Sequence, residues 1–282
     1  MNPVTRRQFL RAGAVGAGLA AMPFRAAEDG AKLPISIQLY TLRNLMRQDF
    51  DGTLKKVAEL GYPAVEFAGY GARSGKPKEL RAFLDDLGMA CSGAHEGFGG
   101  VQRNATARAE FIRTLGGKHL TVPSLPKEFR DGGKDGYRTF GDKMNALGQA
   151  AAKVGCTLSY HNHAFEFRQV EGKSLFEWML GEMDPKLVKL EVDVYWVKKG
   201  GVEPAEFIAE HGDRIALLHM KGMAKESGRF APVGTGSMDT AAIVAAGKEA
   251  KCDWYVVEQD RCWQPELDAV KISLGNLKTL LA

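Results

Sequence analysis

The chain has little of several features that would mark other classes of protein. Its 282 residues include only four cysteines, and the spacing of Cys91, Cys156, Cys252 and Cys262 matches no metal-binding motif. It has no low-complexity run, and 45% of its residues are hydrophobic, which excludes disorder, collagen and coiled coil. The composition predicts a globular protein with a full core. Cys91 and Cys156 open strand-like runs and are predicted to be buried thiols.

The chain after residue 27 also lacks an excess of positive or negative charge. The formal net charge is +4, but residues 1–27 hold four arginines and no acidic residue. With these four set aside, 34 of the 38 basic residues remain, against 34 acidic ones. A neutral remainder lacks the basic surface that nucleic acid requires. We therefore expect a small-molecule partner and no nucleic acid.

The first 27 residues have the composition of an export signal. Residues 5–10 read TRRQFL, residues 12–24 are apolar and glycine-rich, and Ala26 and Ala27 follow Arg25. This pattern resembles a twin-arginine signal peptide. We predict a signal peptide at 1–27, a linker at 28–32, the twin-arginine export machinery as a partner, and a periplasmic or extracellular mature protein. The apolar region is shorter than the ~20 residues of a stable membrane span, and the alternative, an amphipathic helix, lacks a polar face.

From residue 33 onward, short apolar runs alternate with segments of helical periodicity. The strand-like runs are 35–42, 64–68, 89–95, 119–123, 157–163, 188–197, 215–221 and 254–260. The helical segments are 52–60, 78–87, 104–115, 136–154, 174–183, 204–211, 240–250 and 265–281. Four of these helices are followed by a glycine, where a left-handed residue ends a helix: Gly61, Gly88, Gly116 and Gly155. Eight strand–helix units in about 250 residues predict a single-domain (β/α)8 TIM barrel over 33–282. The alternative is a doubly wound sheet, but no glycine-rich phosphate turn follows the first strand.

In such a barrel the functional residues lie where the strands end. Asp193, His219 and Glu258 fall near the ends of the sixth, seventh and eighth runs. Neighbouring strands lie ~4.8 Å apart, so these side chains can converge on one ion. Two carboxylates and an imidazole suit a divalent metal, Mn²⁺ first, with Mg²⁺, Co²⁺ or Zn²⁺ as alternatives. For a fourth ligand, from the fifth strand, we favour Glu166 and keep His163 as the alternative.

Other polar residues at the same rim are candidates for proton transfer and substrate binding. His161 or His163 is the candidate general base, because imidazole titrates near neutral pH. Lys221 is the candidate to stabilise an oxyanion or to protonate a leaving group. The candidates for contact with substrate are Gln38, Glu66, His95 and Trp196. Glu66 could instead orient a ligand or act as a second base, and Trp196 could instead belong to the core. Glu191 is expected to point into the barrel or to pair with a lysine, without an assigned role.

Several short motifs carry a family resemblance. They are QLYTLR at 38–43, YHNHAFEF at 160–167, LEVD at 190–193, LHMK at 218–221, PVGTGSMD at 232–239 and VEQD at 257–260. Together they resemble the sugar phosphate isomerase/epimerase family of the xylose isomerase-like barrel superfamily, over residues 33–282. That superfamily also includes endonuclease IV, inosose dehydratases and ketose 3-epimerases.

The resemblance implies a metal set that falls on Asp193, His219 and Glu258. The family's fourth ligand is usually a glutamate that ends strand five, whereas this chain has His161, Asn162 and His163 there. Ketose epimerases of the superfamily use two metal-bound glutamates as an acid/base pair, which implies a catalytic role for Glu258 as well.

The rim residues and the resemblance together predict a divalent-metal-dependent isomerase or epimerase that acts on a keto-sugar through a metal-stabilised enediolate. The same residues could instead remove a β-substituent from a 3-keto-glycoside, as a lyase or hydrolase. An exported sugar-binding protein is the non-enzymatic alternative. A DNA-repair endonuclease would need more metal ligands and a basic groove. A homo-oligomer is compatible with the sequence.

Overall fold

A computed structural model describes residues 33–282, and these form a closed barrel of eight parallel strands with helices between them. The strands are β1 Ile35–Gln38, β2 Ala64–Phe67, β3 Ala90–His95, β4 His119–Val122, β5 Thr157–His161, β6 Val188–Asp193, β7 Ile215–Met220 and β8 Trp254–Val257. Each strand pairs in parallel with the next, and β8 pairs with β1. The predicted TIM barrel is confirmed, while the predicted signal peptide and linker lie outside the described residues.

The helices occupy the connections between the strands. They are α1 Arg43–Gln48, α2 Phe50–Glu59, α3 Pro77–Asp86, α4 Phe98–Arg103, α5 Ala105–Thr114, α6 Lys127–Asp131, α7 Gly133–Ala152, α8 Leu175–Leu180, α9 Val194–Lys199, α10 Pro204–His211, α11 Thr240–Glu249 and α12 Glu266–Leu281. Short 3-10 helices at Leu39–Leu42, Gly71–Arg73, Phe165–Phe167 and Gly212–Arg214 complete them. Two small hairpins pair Gln169–Val170 with Lys173–Ser174 and Gly222–Met223 with Phe230–Ala231. None of the helices within 33–282 combines the length and the apolar character that a membrane crossing needs.

Local sequence accounts for these elements. The side chains of a barrel strand point alternately to the interior and to the helices, and all four residues of β1, of β2 and of β4 are buried. Asp49, Asn104 and Asp239 each accept a hydrogen bond from a backbone N–H of the helix that follows, which is a stabilising N-cap. The four glycines predicted to end helices all have positive φ. Cys91 and Cys156 are buried as predicted, and all four cysteines are free thiols.

Two strands end four residues earlier than the sequence predicts. The first predicted run extends to residue 42, but the chain turns into a 3-10 helix at Leu39. The sixth extends to residue 197, but α9 begins at Val194 because the Asp193 side chain accepts a hydrogen bond from Trp196 N at 3.0 Å. A short apolar run has the same pattern in a strand and in a buried helix. Tyr40 and Trp196 therefore lie on turns beyond the barrel rim.

The strand register brings the polar residues together at the carboxyl end of the barrel. Gln38 lies opposite Glu66, His161 opposite Glu191, and Asp193 opposite His219. The aliphatic core lies among the strands and the surrounding helices. The rim is thus a polar layer on an apolar base.

Candidate active site

Four side chains from four neighbouring strands converge at the rim. His161 ends β5, Asp193 ends β6, His219 lies on β7 and Glu258 directly follows β8. Each offers one ligand atom, and these atoms all lie within 4.8 Å of one another. All four side chains are buried. The convergence of Asp193, His219 and Glu258 is the geometry that a shared cation requires.

Hydrogen bonds fix the two ligands that come from β5 and β6. His161 Nδ1 lies 3.1 Å from the carbonyl oxygen of Pro123, and its Nε2 lies 3.2 Å from Asp193 Oδ2. A carbonyl can only accept, so Nδ1 carries the proton and the Nε2 lone pair faces the cluster. Asn162 binds the backbone of Asp193, accepting from its N–H at 2.9 Å. The strand ends are therefore held together independently of any ion.

A second group of side chains lies on the other side of His219. It consists of Glu66, His95 and Glu191 together with His219, again with ligand atoms within 4.8 Å of one another. His219 Nδ1 lies 2.8 Å from Glu258, whereas its Nε2 lies 2.7 Å from Glu66 Oε2. His95 Nε2 lies 2.5 Å from Glu191 Oε2. Of these three additional residues, only His95 lines the cavity above, so this group acts as support behind the first cluster.

The balance of buried charge at the rim favours a bound divalent cation. Glu66, Glu191, Asp193 and Glu258 are buried carboxylates. Burial opposes the charge on His219, but Glu191, Glu258 and Glu66 hold the pKa of its imidazole well above the usual value. Glu66 Oε1 and Glu191 Oε1 are buried without a hydrogen-bond partner. Two imidazoles and two carboxylates are a donor set that suits a divalent first-row metal, so the residues present fit the metal that the sequence resemblance implies.

Lys221 is the buried cation closest to the cluster. Its Nζ lies 2.8 Å from Asp193 Oδ2, 2.8 Å from Glu258 Oε2 and 2.5 Å from Asp260 Oδ2. Burial opposes its charge, yet Asp193 and Glu258 hold the pKa of the ammonium well above the usual value. Trp196 lies to one side, with its ring centre 5.8 Å from Nζ. Lys221 is thus a positioned, charged hydrogen-bond donor at the site.

A cavity of about 330 Å³ lies over the first cluster. Its walls are formed by Tyr40, Ala68, His95, Pro123, Ser124, His161, His163, Glu258 and Asp260. Burial and the neighbouring His161 lower the pKa of His163 to about 3, which leaves its imidazole neutral. Burial raises the pKa of Asp260 against the opposing effect of Lys221. The cavity therefore presents imidazoles and carboxylates to one small polar ligand, and the Lys221 ammonium lies behind Glu258 and Asp260.

The structure brings most of the predicted site residues to this place, but not Glu166. Glu166 Oε1 accepts from Tyr160 OH at 2.5 Å and Oε2 accepts from His163 N at 2.9 Å, and Glu166 lies outside both groups of candidate ligands. The candidate ligand atom from β5 in the first group belongs to His161 instead. His163 lines the cavity and packs against Phe165. Geometry therefore favours His161 over Glu166 and His163 as the ligand from this strand.

The predicted substrate-binding residues divide into two sets. His95 lines the cavity, and Trp196 lies behind His163 with ring centres 5.3 Å apart. Gln38 and Glu66 are fully buried and do not line it. Gln38 Nε2 donates to Glu66 Oε2 at 2.8 Å, so the pair supports His219 rather than facing substrate.

Asp260 is a candidate that sequence reasoning missed. It lines the cavity and contacts Lys221. Asp260 stands two residues after Glu258, and residues with this spacing point to the same side of an extended chain. This spacing was the signal in the sequence that could have identified Asp260. The sequence also gave no role to Glu191, which pairs with His95 instead of a lysine.

The fold and this site define the class of the protein. The chain matches the family described as xylose isomerase-like TIM barrel over residues 54–280. It therefore belongs to this family, which confirms the superfamily that the motifs predicted.

Individual relatives agree with this assignment. An inosose dehydratase of Geobacillus kaustophilus is 23% identical over 250 residues, which span 75% of this chain and 80% of the relative. A solved sugar phosphate isomerase/epimerase from Parabacteroides distasonis has a TM-score of 0.77 at 24% identity. The match covers 93% of this chain and 100% of the chain in that structure. An L-ribulose 3-epimerase structure has a TM-score of 0.67 at 14% identity, over 89% and 95% of the two chains. The two solved structures share the barrel fold of this chain.

Proposed function

We propose that the chain is a divalent-metal-dependent isomerase or epimerase that acts on a keto-sugar through an enediolate. The observation that carries the proposal is the meeting of His161, Asp193, His219 and Glu258 beneath a polar cavity. The cavity also holds groups that can accept or donate a proton. Ligands and proton-transfer groups within reach of one small molecule are what such a reaction needs.

His161, Asp193, His219 and Glu258 would hold the cation. When bound, the cation supplies Lewis-acid stabilisation of the negative charge that develops on the sugar oxygens. Mn²⁺ is the metal we propose first, because imidazole and carboxylate donors both suit it, and Mg²⁺, Co²⁺ and Zn²⁺ are the alternatives.

The chain's own residues move the protons. His163 lines the cavity, and its imidazole is the first candidate to accept a proton from the carbon next to the ketone. Asp260 is the second candidate base, since it faces the same cavity. Lys221 donates hydrogen bonds towards the developing oxyanion. Return of the proton to the opposite face gives epimerisation, and its return to the next carbon gives isomerisation.

β-Elimination is the second candidate reaction, and the position of Lys221 favours it. An ammonium held by Asp193, Glu258 and Asp260 can protonate a departing oxygen on the carbon beyond the enediolate. The similarity to an inosose dehydratase also supports loss of a β-substituent. A 3-keto-glycoside is the corresponding substrate class.

We also propose that the mature chain acts outside the cytoplasm, on the strength of its arginine-pair signal. An exported protein that only binds sugar is the non-enzymatic alternative. The test incubates the metal-loaded protein with keto-sugars and 3-keto-glycosides in D₂O and follows them by NMR. The proposed enzyme exchanges the proton next to the ketone and forms an epimer, an isomer or an elimination product. A binder gives none of these changes, and that result would reject the enzymatic proposal.

A further inference from the structure

A second cavity opens beside the candidate site and shares walls with it. This groove, of about 420 Å³, has an apolar lining that includes Leu39, Tyr40, Met46 and Phe50. Tyr40 and Ala68 line both the groove and the cavity above the metal ligands. A molecule bound at the site can therefore extend past Tyr40 into the groove. We call this cavity the Tyr40 groove.

The two cavities differ in chemistry. The site cavity is lined by imidazoles and carboxylates, whereas Arg43 and Arg47 are the only charged residues that line the Tyr40 groove within residues 33–282. Without a carboxylate from this part of the chain, the groove disfavours a cation and accepts a neutral or anionic group. Its apolar walls suit a flat hydrophobic group. Together the cavities match a ligand with one polyhydroxylated half and one apolar half.

Tyr40 is held rigidly between the two cavities. Its backbone N–H donates to Gln38 Oε1 at 3.0 Å, and its carbonyl accepts from Arg43 Nη1 at 2.9 Å. The Arg43 guanidinium lies 4.3 Å from the centre of the Tyr40 ring, and Arg43 also donates to the carbonyl of Asp260 at 2.7 Å. The Tyr40 residue is nevertheless 43% exposed. A fixed, exposed aromatic ring at the mouth of a site is suited to stacking against a flat ligand.

We propose that the Tyr40 groove binds the aromatic leaving group of a 3-keto-glycoside. This inference rests on the β-elimination form of the proposed function. A cavity base takes the proton from the carbon next to the ketone, and the C–H electron pair gives the enediolate. The ketone then re-forms, and a C=C bond forms to the next carbon as the bond from that carbon to the glycosidic oxygen breaks. Lys221 gives that oxygen a proton, so that an alcohol or phenol leaves through the groove. A free keto-sugar has no second half to occupy this space.

The test compares benzyl and methyl 3-keto-β-glucosides with the metal-loaded full chain, because benzyl alcohol and methanol are leaving groups of similar acidity. We expect kcat/KM to be about tenfold or more higher for the benzyl compound, because its ring leaves water. Phe50→Ala and Met46→Ala should each reduce this benzyl-to-methyl ratio to about threefold or less. The control is Ile272→Ala on α12, which also removes an exposed apolar side chain and should leave the ratio unchanged. Equal rates for the two compounds, or a ratio unchanged in both groove variants, would overturn the proposal.

A sugar-free probe separates failure of the groove from failure of the proposed reaction. Saturation-transfer NMR with 4-nitrophenol should show binding that Phe50→Ala and Met46→Ala weaken and Ile272→Ala does not. If 4-nitrophenol behaves in this way but no keto-glycoside reacts, the reaction is refuted and the aromatic-binding groove stands. If 4-nitrophenol does not bind, the groove proposal is refuted even when methyl 3-keto-glucoside is converted. Loss of binding at high protein concentration would assign the groove to a second copy of the chain and would also refute it.

Discussion

The substitution Glu166→Gln distinguishes two roles of this residue, a buried support of the site and a metal ligand. The carboxylate accepts hydrogen bonds from Tyr160 and from the backbone N–H of His163, and the side chain is fully buried. Burial raises the pKa of Glu166 from its usual 4.5 to about 7, despite the lowering effect of the Tyr160 hydrogen bond. The folded protein therefore favours the protonated acid, which Glu166→Gln imitates in shape and charge.

The pKa shift fixes the sign and size of the expected effect. Below pH 4.5 the acid is protonated in the folded and the unfolded chain, and the full stability is present. As the pH rises through 7, the folded chain must ionise a buried group, and a difference of about 2.5 pKa units corresponds to a loss of roughly 3 kcal/mol. Glutamine cannot ionise, so Glu166→Gln should gain about 3 kcal/mol relative to the parent chain between pH 4.5 and pH 8.

The assay is urea unfolding of the metal-free chain at several pH values, with the exposed Glu128→Gln as control. The control should follow the parent chain throughout. Binding of Mn²⁺ by Glu166→Gln, measured by calorimetry at pH 7, should stay within about threefold of the parent, since Glu166 bonds to Tyr160 and to the backbone of His163 and belongs to neither group of candidate ligands. A stability difference that does not change with pH would refute the burial argument. Loss of Mn²⁺ binding would restore Glu166 as a ligand.

Three further predictions concern the residues around the cluster. Glu66→Gln should weaken Mn²⁺ binding about 10–100-fold in calorimetry, because Glu66 orients His219 through Nε2; an unchanged affinity would contradict that role. Lys221→Met should lower kcat about 100-fold or more while metal content, measured by elemental analysis, is retained; a parent-like kcat would remove Lys221 from the mechanism. Chelation should abolish turnover and lower the melting temperature, and Mn²⁺ at about 100 times its Kd should restore roughly 2.7 kcal/mol of stability; activity that survives chelation would exclude a metal role.

The barrel and three of its candidate ligands could be predicted because they depend on regular patterns. Eight strand–helix units allow few architectures, and the ends of parallel strands meet at one face. Asp193, His219 and Glu258 follow from that rule alone, and the structure places them together.

Which side chain after β5 lies beside Asp193, His219 and Glu258 could not be predicted, because it depends on where β5 ends. The sequence pattern extends the strand to residue 163, but β5 ends at His161, and a 3-10 helix at Phe165–Phe167 directs Glu166 to Tyr160. The end of β5 and the position of Glu166 depend on the hydrogen bonds of a single loop. Strand periodicity in the sequence carries no information on those hydrogen bonds.

The contact between Glu66 and His219 also could not be predicted from the sequence. Glu66 lies 153 positions from His219 in the chain, and contact between them arises from closure of the barrel. Parity shows that a side chain points inward, but it does not show whether it reaches the cavity or lies beneath it. Gln38 and Glu66 were therefore predicted to contact substrate, whereas the structure places them in the layer below.

The most direct test of the account is a count of tightly bound Mn²⁺ in the parent chain and in the double variant Asp193→Ala/Glu258→Ala. The two chains are dialysed against Mn²⁺ under the same conditions and measured by elemental analysis and electron paramagnetic resonance, and circular dichroism confirms that both are folded. We expect one tightly held ion per parent chain, which the double variant loses together with turnover. A folded double variant that keeps the same ion, or that converts substrate without it, would contradict the shared site at the barrel rim.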